Sequence, residues 1–174
     1  MRLSLREVAE RAAIVDCLNR YAQGVDQRDW PLYASAFSDD ARIEVPGYLD
    51  DALTPEAFRR FLCETFDATR LSGQHLLGNT RFVAGAGGMR TVTEFLAVTL
   101  ERDPRDGLAR RQVAAGLYID DLVRGTRDWR IRRRVLVRKS DDVHRIAFTG
   151  DAARAVTATL ADAASFTFFD GNPR

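Results

Sequence analysis

Hydrophobic positions near the start of the chain recur every three or four residues. Leu5, Val8, Ala9, Ala12, Ala13, Val15, Leu18 and Tyr21 fall on one stripe, the period of an amphipathic helix, and Ser4 stands where an N-cap belongs. The stripe stops near Gly24, where this helix is expected to end. A short second helix is expected over residues 30–37, with Trp30, Tyr33, Ala34 and Phe37 on one side and Pro31 in its first turn. "ARIEV" reads as a short strand closed by Pro46 and Gly47. Thr54-Pro55-Glu56 opens a third helix whose buried stripe is Phe58, Phe61, Leu62, Thr65 and Phe66.

From His75 onward the period is that of strands. "QHLLGNTRFVAG", "MRTVTEFLAVTLER", "ARRQVAAGLYIDDLVR" and "DWRIRRRVLVRKS" are β-rich segments separated by the turn sequences "AGG", "DPRDG" and "RGT". Helices followed by a meander imply an α+β fold, with the helices on one face of a strongly curved antiparallel sheet. A sheet that curls over helices encloses a pocket, and function is sought there. Residues 1–140 are assigned to this domain and residues 141–174 to a C-terminal extension. Within the extension "GDAARAVTATLADAASF" is a helix candidate and "FTFFDG" carries three phenylalanines, which suits either a lid over the pocket or packing between subunits.

Composition narrows the partners. The 174 residues fit one domain with a real core. With 26 basic against 25 acidic residues the net charge is +1, so no overall field draws nucleic acid or an anionic membrane. The arginines of "RIRRR" lack an aromatic platform or a glycine-rich element, and nucleic-acid binding is discounted. Cys17 and Cys63 form no C-x-x-C pair and have no histidine cluster beside them; both read as core residues, and no metal or redox site is expected. No apolar run approaches the roughly 18 residues of a membrane span, and a cytoplasmic setting is expected.

Three segments, "RAAIVDCLNRYAQGVDQRDWPLYASAFSDDARIEV", "GQHLLGNTRFV" and "DWRIRRRVLVR", occur in this order within residues 5–139. Their pattern resembles the SnoaL-like branch of the NTF2-like superfamily, through the elements Y-x4-D-x2-D-W and H-x3-N. The resemblance implies a cone-shaped fold, no cofactor and a homodimer or homotrimer, and the aromatic supply of Phe37, Phe58, Phe61, Phe66, Phe82, Phe95 and Trp30 points to a mostly apolar polycyclic, polyketide-like or steroid-like substrate. Relatives in this branch, such as scytalone dehydratase, bile-acid 7α-dehydratase and hexachlorocyclohexane dehydrochlorinase, use an Asp at the end of the first helix with a His on the first long strand. The matching residues are Asp26 and His75.

Chemistry favours that pair independently. Histidine changes charge nearest neutral pH, and a carboxylate on one ring nitrogen fixes its tautomer and stabilises the imidazolium. The expected reaction is therefore a lyase or isomerase step, dehydration or cyclisation, begun by proton abstraction. Substrate-binding candidates are Tyr21, Tyr48, Asn79, Arg134, Trp30 and Phe58. Tyr21 also continues the helix stripe, where packing is favoured over a catalytic role. Asn79 falls on the face of His75 by strand alternation. Arg134 matches a pocket arginine of the branch, although alternation puts it with Arg130 and Arg132 unless a bulge re-aims it. The alternative function is a non-catalytic ligand-binding or accessory subunit, like the β-subunits of ring-hydroxylating dioxygenases.

Overall fold

A computed structural model describes residues 2–85, 87–102, 109–126 and 128–146. Helix α1 (Leu5–Gln27) starts at a capping box: the Ser4 hydroxyl accepts from the Glu7 amide, and the Glu7 carboxylate accepts from the Ser4 amide. It passes through Gly24 rather than ending there. That glycine marks close packing instead, because a Cβ on it would lie 2.5 Å from the Tyr33 backbone nitrogen. Arg28 then breaks the helix in the left-handed region, at φ 56°.

Asp29 caps α2 (Trp30–Ser35), accepting from the Leu32 amide at 2.9 Å. This helix stops short of Phe37, which opens strand β1 (Phe37–Glu44). Strand pairing claims the segment, with Phe37 opposite Ile131 and the Ile131 amide donating to the Ala36 carbonyl at 2.8 Å. Helix α3 (Pro55–Leu62) carries Thr54 as its cap and Pro55 in its first turn, as expected, and runs into a π-helical turn over Cys63–Asp67. Cys17 is fully buried, whereas Cys63 in that turn is only half-buried and is not a core residue.

Strands β2 (Arg70–Gly85), β3 (Gly88–Arg102), β4 (Ala109–Arg124) and β5 (Trp129–Ile146) make the meander. The sheet order is β1-β5-β4-β3-β2. It is mixed rather than wholly antiparallel, because β1 lies parallel to β5; alternation along a strand carries no information about its direction. Strand β5 continues beyond residue 140 to Ile146, so that Ala109 to Ala115 of β4 stay paired. His144 therefore lies in this strand, exposed and opposite Arg111. Its tip, "SDDVHR", is polar on both faces and shows no burial period. The alanine-rich segment and the phenylalanine cluster of the extension lie outside the described residues.

Two bulges bend β5. Asp121 pairs with Arg133 and Leu122 with Ile131, which makes Arg132 an extra residue; Ala115 pairs with Ser140 and Gly116 with Arg138, which makes Lys139 another. Each extra residue increases the local twist and reverses the strand's facing. The concave face receives Ile14, Cys17, Leu18 and Tyr21 of α1 against Phe95, Tyr118, Leu122 and Ile131.

The contact at Gly24 gives a direct test of helix packing. Helix propensity alone would make Gly24→Ala stabilising by about 1 kcal/mol, but the obstacle is backbone, which cannot rotate away. The expected net outcome in urea unfolding is a loss of about 1–3 kcal/mol.

Candidate active site

A cavity of about 120 Å³ lies between α1, α3 and the concave face of the sheet. Val25, Phe58, Leu62, Phe95 and Leu136 supply apolar wall, and Tyr21, Asp26, His75 and Tyr118 supply polar atoms. An apolar cavity of about 150 Å³ holds one benzene. The space inside the cavity is of that order, room for about one ring, and the cavity opens to the outside.

Asp26 sits in the last turn of α1, where the helix dipole disfavours a negative charge, and no basic residue stands in that turn to offset it. The compensation comes from β2. The His75 backbone N–H donates to Asp26 Oδ2 at 2.7 Å, and His75 Nδ1 lies 2.6 Å from Asp26 Oδ1. Both side chains are largely buried, 14% and 13% exposed. A carboxylate at Nδ1 places the ring proton there, leaving Nε2 as the nitrogen available to a ligand. Small residues keep the space open: His75 pairs across the sheet with Ala97, and Ala97 with Ala114.

Arg134 is fully buried. The bulge at Arg132 turns it inward, directly opposite Asp120 of β4. Its Nε and Nη2 donate to the two Asp120 carboxylate oxygens at 2.7 and 2.8 Å. The guanidinium carbon lies 3.9 Å from the Tyr21 ring centre and 4.1 Å from that of Tyr118. Arg134 is therefore beneath the cavity floor, spoken for by Asp120, and does not line the cavity as a substrate-facing group.

The two tyrosines above it form the floor. Tyr118 stacks on Phe95 with ring centres 4.4 Å apart, and Tyr21 meets His75 edge-on at 6.4 Å. Burial pushes both phenols up, Tyr118 well above the ordinary range, with the Arg134 charge offsetting part of the rise. Both are thus neutral hydroxyl donors at physiological pH. Burial alone would lower the Arg134 value; the Asp120 charge and hydrogen bonds outweigh it and hold the guanidinium protonated.

The structure brings Tyr21, Asp26, Phe58 and His75 to one cavity and leaves the other candidates outside it. Asn79 is exposed in a bulge of β2, between Gly78 and Arg81, with φ 50°; the bulge ends the alternation that put it on the His75 face. Tyr48 is 56% exposed, with Arg138 over its ring. Trp30 packs on Tyr33 and Arg59 at a separate surface cleft. Tyr118, Arg70, Gln112 and Arg138 are lining residues that the sequence reading did not single out. A signal for Tyr118 was present, since Ala114, Gly116, Tyr118, Asp120 and Leu122 alternate as the buried face of β4. A carboxylate inside such a row demands a cation.

Helices closing a curled mixed sheet around a cavity define a cone fold of the NTF2-like class. Within that class the chain belongs to the SnoaL-like domain family, whose match spans residues 6–135. Solved structures share the fold. A candidate scytalone dehydratase from Novosphingobium aromaticivorans superposes with a TM-score of 0.67 at 18% identity, over 80% of this chain and 90% of that one. The hexachlorocyclohexane dehydrochlorinase LinA Type2 gives 0.67 at 20% identity, over 82% and 94%. ActVI-ORFA from Streptomyces coelicolor gives 0.60 at 20% identity, over 74% and 97%. No protein of curated function matches the chain. Among the described residues no helix is long and apolar enough to cross a membrane, and no three His, Cys, Asp or Glu side chains cluster as metal ligands.

The buried phenols set a pH dependence. Tyrosine in the unfolded chain loses its proton near pH 10, while folded Tyr118 keeps its proton to higher pH. Above pH 10 the unfolded state therefore binds fewer protons, and stability falls as pH rises. Tyr118→Phe should remove up to about 1.4 kcal/mol per pH unit from that decline, read as unfolding free energies at pH 10 and pH 11. Equal slopes in parent and variant would contradict the burial of this hydroxyl.

Proposed function

We propose that this protein is a cofactor-independent lyase or isomerase in which His75 is the general base. The carbon–hydrogen bond of the substrate breaks toward His75 Nε2, and its electron pair forms a new carbon–carbon double bond. A leaving group departs with its own electron pair, or an adjacent carbonyl takes its π pair onto oxygen and the resulting enolate is reprotonated at another carbon. Asp26 holds the ring in the Nδ1–H tautomer and balances the imidazolium that forms. The phenols of Tyr21 and Tyr118, which hydrogen-bond to each other on the cavity lining, are the groups that would donate to an oxygen gaining negative charge next to the reacting carbon.

The observation that carries this reading is the doubly tied contact between Asp26 and His75 on the wall of an apolar cavity. A carboxylate serving only as a helix terminus would not need a strand backbone amide and an imidazole at once. Membership of the SnoaL-like family supports the reading, as do the fold neighbours, a candidate scytalone dehydratase and a dehydrochlorinase. The cavity volume favours compact, mostly apolar substrates with one ring in the enclosed part.

The test uses 3-hydroxycyclohexanone and 3-chlorocyclohexanone in deuterated water. Elimination is followed by enone absorbance, and exchange of the hydrogens beside the carbonyl by NMR. The parent should accelerate both. His75→Ala should lower the rate by about 10² to 10⁴, and Asp26→Asn should lower it by a comparable factor while shifting the His75 ring away from the Nδ1–H form in nitrogen-15 spectra. Unchanged rates in His75→Ala, or no acceleration by the parent, would overturn the reading.

A further inference from the structure

We propose that Arg70 makes this cavity a receptor for a carboxylate, so that its ligand is a compact organic acid. The inference names a substrate class for the same cavity and so builds on the general-base reading. Arg70 opens β2 and lines the cavity, yet its side chain is only 8% exposed. Its Nη2 lies 2.8 Å from Asp67 Oδ1, and Arg28 Nε lies 3.3 Å from that same oxygen. One carboxylate oxygen is thus shared by two guanidinium groups.

Among the described residues, Arg70 Nε and Nη2 have no hydrogen-bond partner, since the contact with Asp67 is a charge contact without bonding geometry. Arg70 also reaches the space beside the dyad. A Cβ placed on Gly73 would lie 3.4 Å from Arg70 Nη1 and 3.3 Å from Asp26 Oδ1. Burial holds the Arg70 guanidinium below the usual arginine range, opposed by the Asp67 charge. On the β5 side Arg138 lines the cavity too, with a buried Nε that lacks a partner among the described residues.

A buried cation with unfilled donors is costly unless something fills them. Guanidinium is donor-only and planar, and its fork matches the two oxygens of a carboxylate. A neutral ligand would fill fewer of these donors and would leave the single Asp67 carboxylate to serve both Arg70 and Arg28. A single ring bearing a carboxylate agrees with the enclosed volume, the apolar wall at Phe58 and Phe66, and the unfilled donors together.

Isothermal titration with benzoate and with benzamide, which have nearly the same shape, tests the charge requirement without turnover. Benzoate should bind at least about tenfold more tightly than benzamide, in the parent and equally in His75→Ala. Arg70→Gln should abolish the preference while benzamide binding persists, which reports that the variant is folded. Arg70→Lys should keep part of the preference, and benzoate should shift the Arg70 Nε–H resonance of the unaltered protein. Equal or weaker binding of benzoate, no binding of it at all, an undisturbed Arg70 resonance, or a preference that survives Arg70→Gln each overturns the proposal. These outcomes are separate from the elimination assay: neutral ketones turned over without an anion preference would remove only the carboxylate, and an anion preference without elimination would remove only the base.

Discussion

The pair of Arg134 and Asp120 is the contact on which the rest of the site depends. Both side chains are fully buried and joined through two hydrogen bonds. Desolvating two charges costs several kcal/mol per ion, so such a pair adds little net stability, but losing one partner strands the other at a cost of about 3–5 kcal/mol. Its value here is positional. The guanidinium sits between Tyr21 of α1 and Tyr118 of β4, and cation–π attraction to both rings ties the helix to the sheet. Asp26 is five residues beyond Tyr21 on the same helix, so its distance from His75 is set partly by a contact that touches neither residue.

The legible parts of this molecule were those with an uninterrupted period. The Thr54-Pro55 start of α3 and the turn-bounded segments of β3 and β4 follow from local sequence; the stripe expected for α1 does not hold, because Leu5, Val8, Ala9, Ala12, Ala13 and Val15 are exposed and the helix buries Ile14, Cys17, Leu18, Tyr21 and Val25 instead. Asp26 and His75 were legible for another reason, as residue types at marked positions in a family pattern. The misplacements occur where a bulge reverses the period. Asn79 leaves the His75 face at one bulge, and Arg134 turns inward at another. No count along the chain reveals an extra residue when arginine occupies both faces of the strand.

Aromatic content was a poor guide to the wall of the cavity. Trp30 and Tyr48 belong to the surface, where a large ring can cover a neighbour and still meet water. Tyr118 was the more informative aromatic, because it shares a buried row with a carboxylate. Polar residues inside an apolar row identify a site better than aromatic residues do, since burial charges them a desolvation cost that only a partner can offset.

The same argument separates two sets of charges. Arg133 with Glu44, Arg110 with Glu101 and Arg90 with Asp121 are paired through bonded contacts. Asp26 and Arg70, at the cavity, each break a local rule: one is an anion at the negative end of a helix, the other a buried cation with unfilled donors. His75 resolves the first from within the protein. The second is left for whatever enters: among the described residues Arg110 and Arg134 also keep one buried donor each without a partner, but Arg70 keeps two and lines the cavity beside the base. That is the arrangement expected where binding energy is to be drawn from the ligand, because donors already filled by the protein have nothing left to offer it.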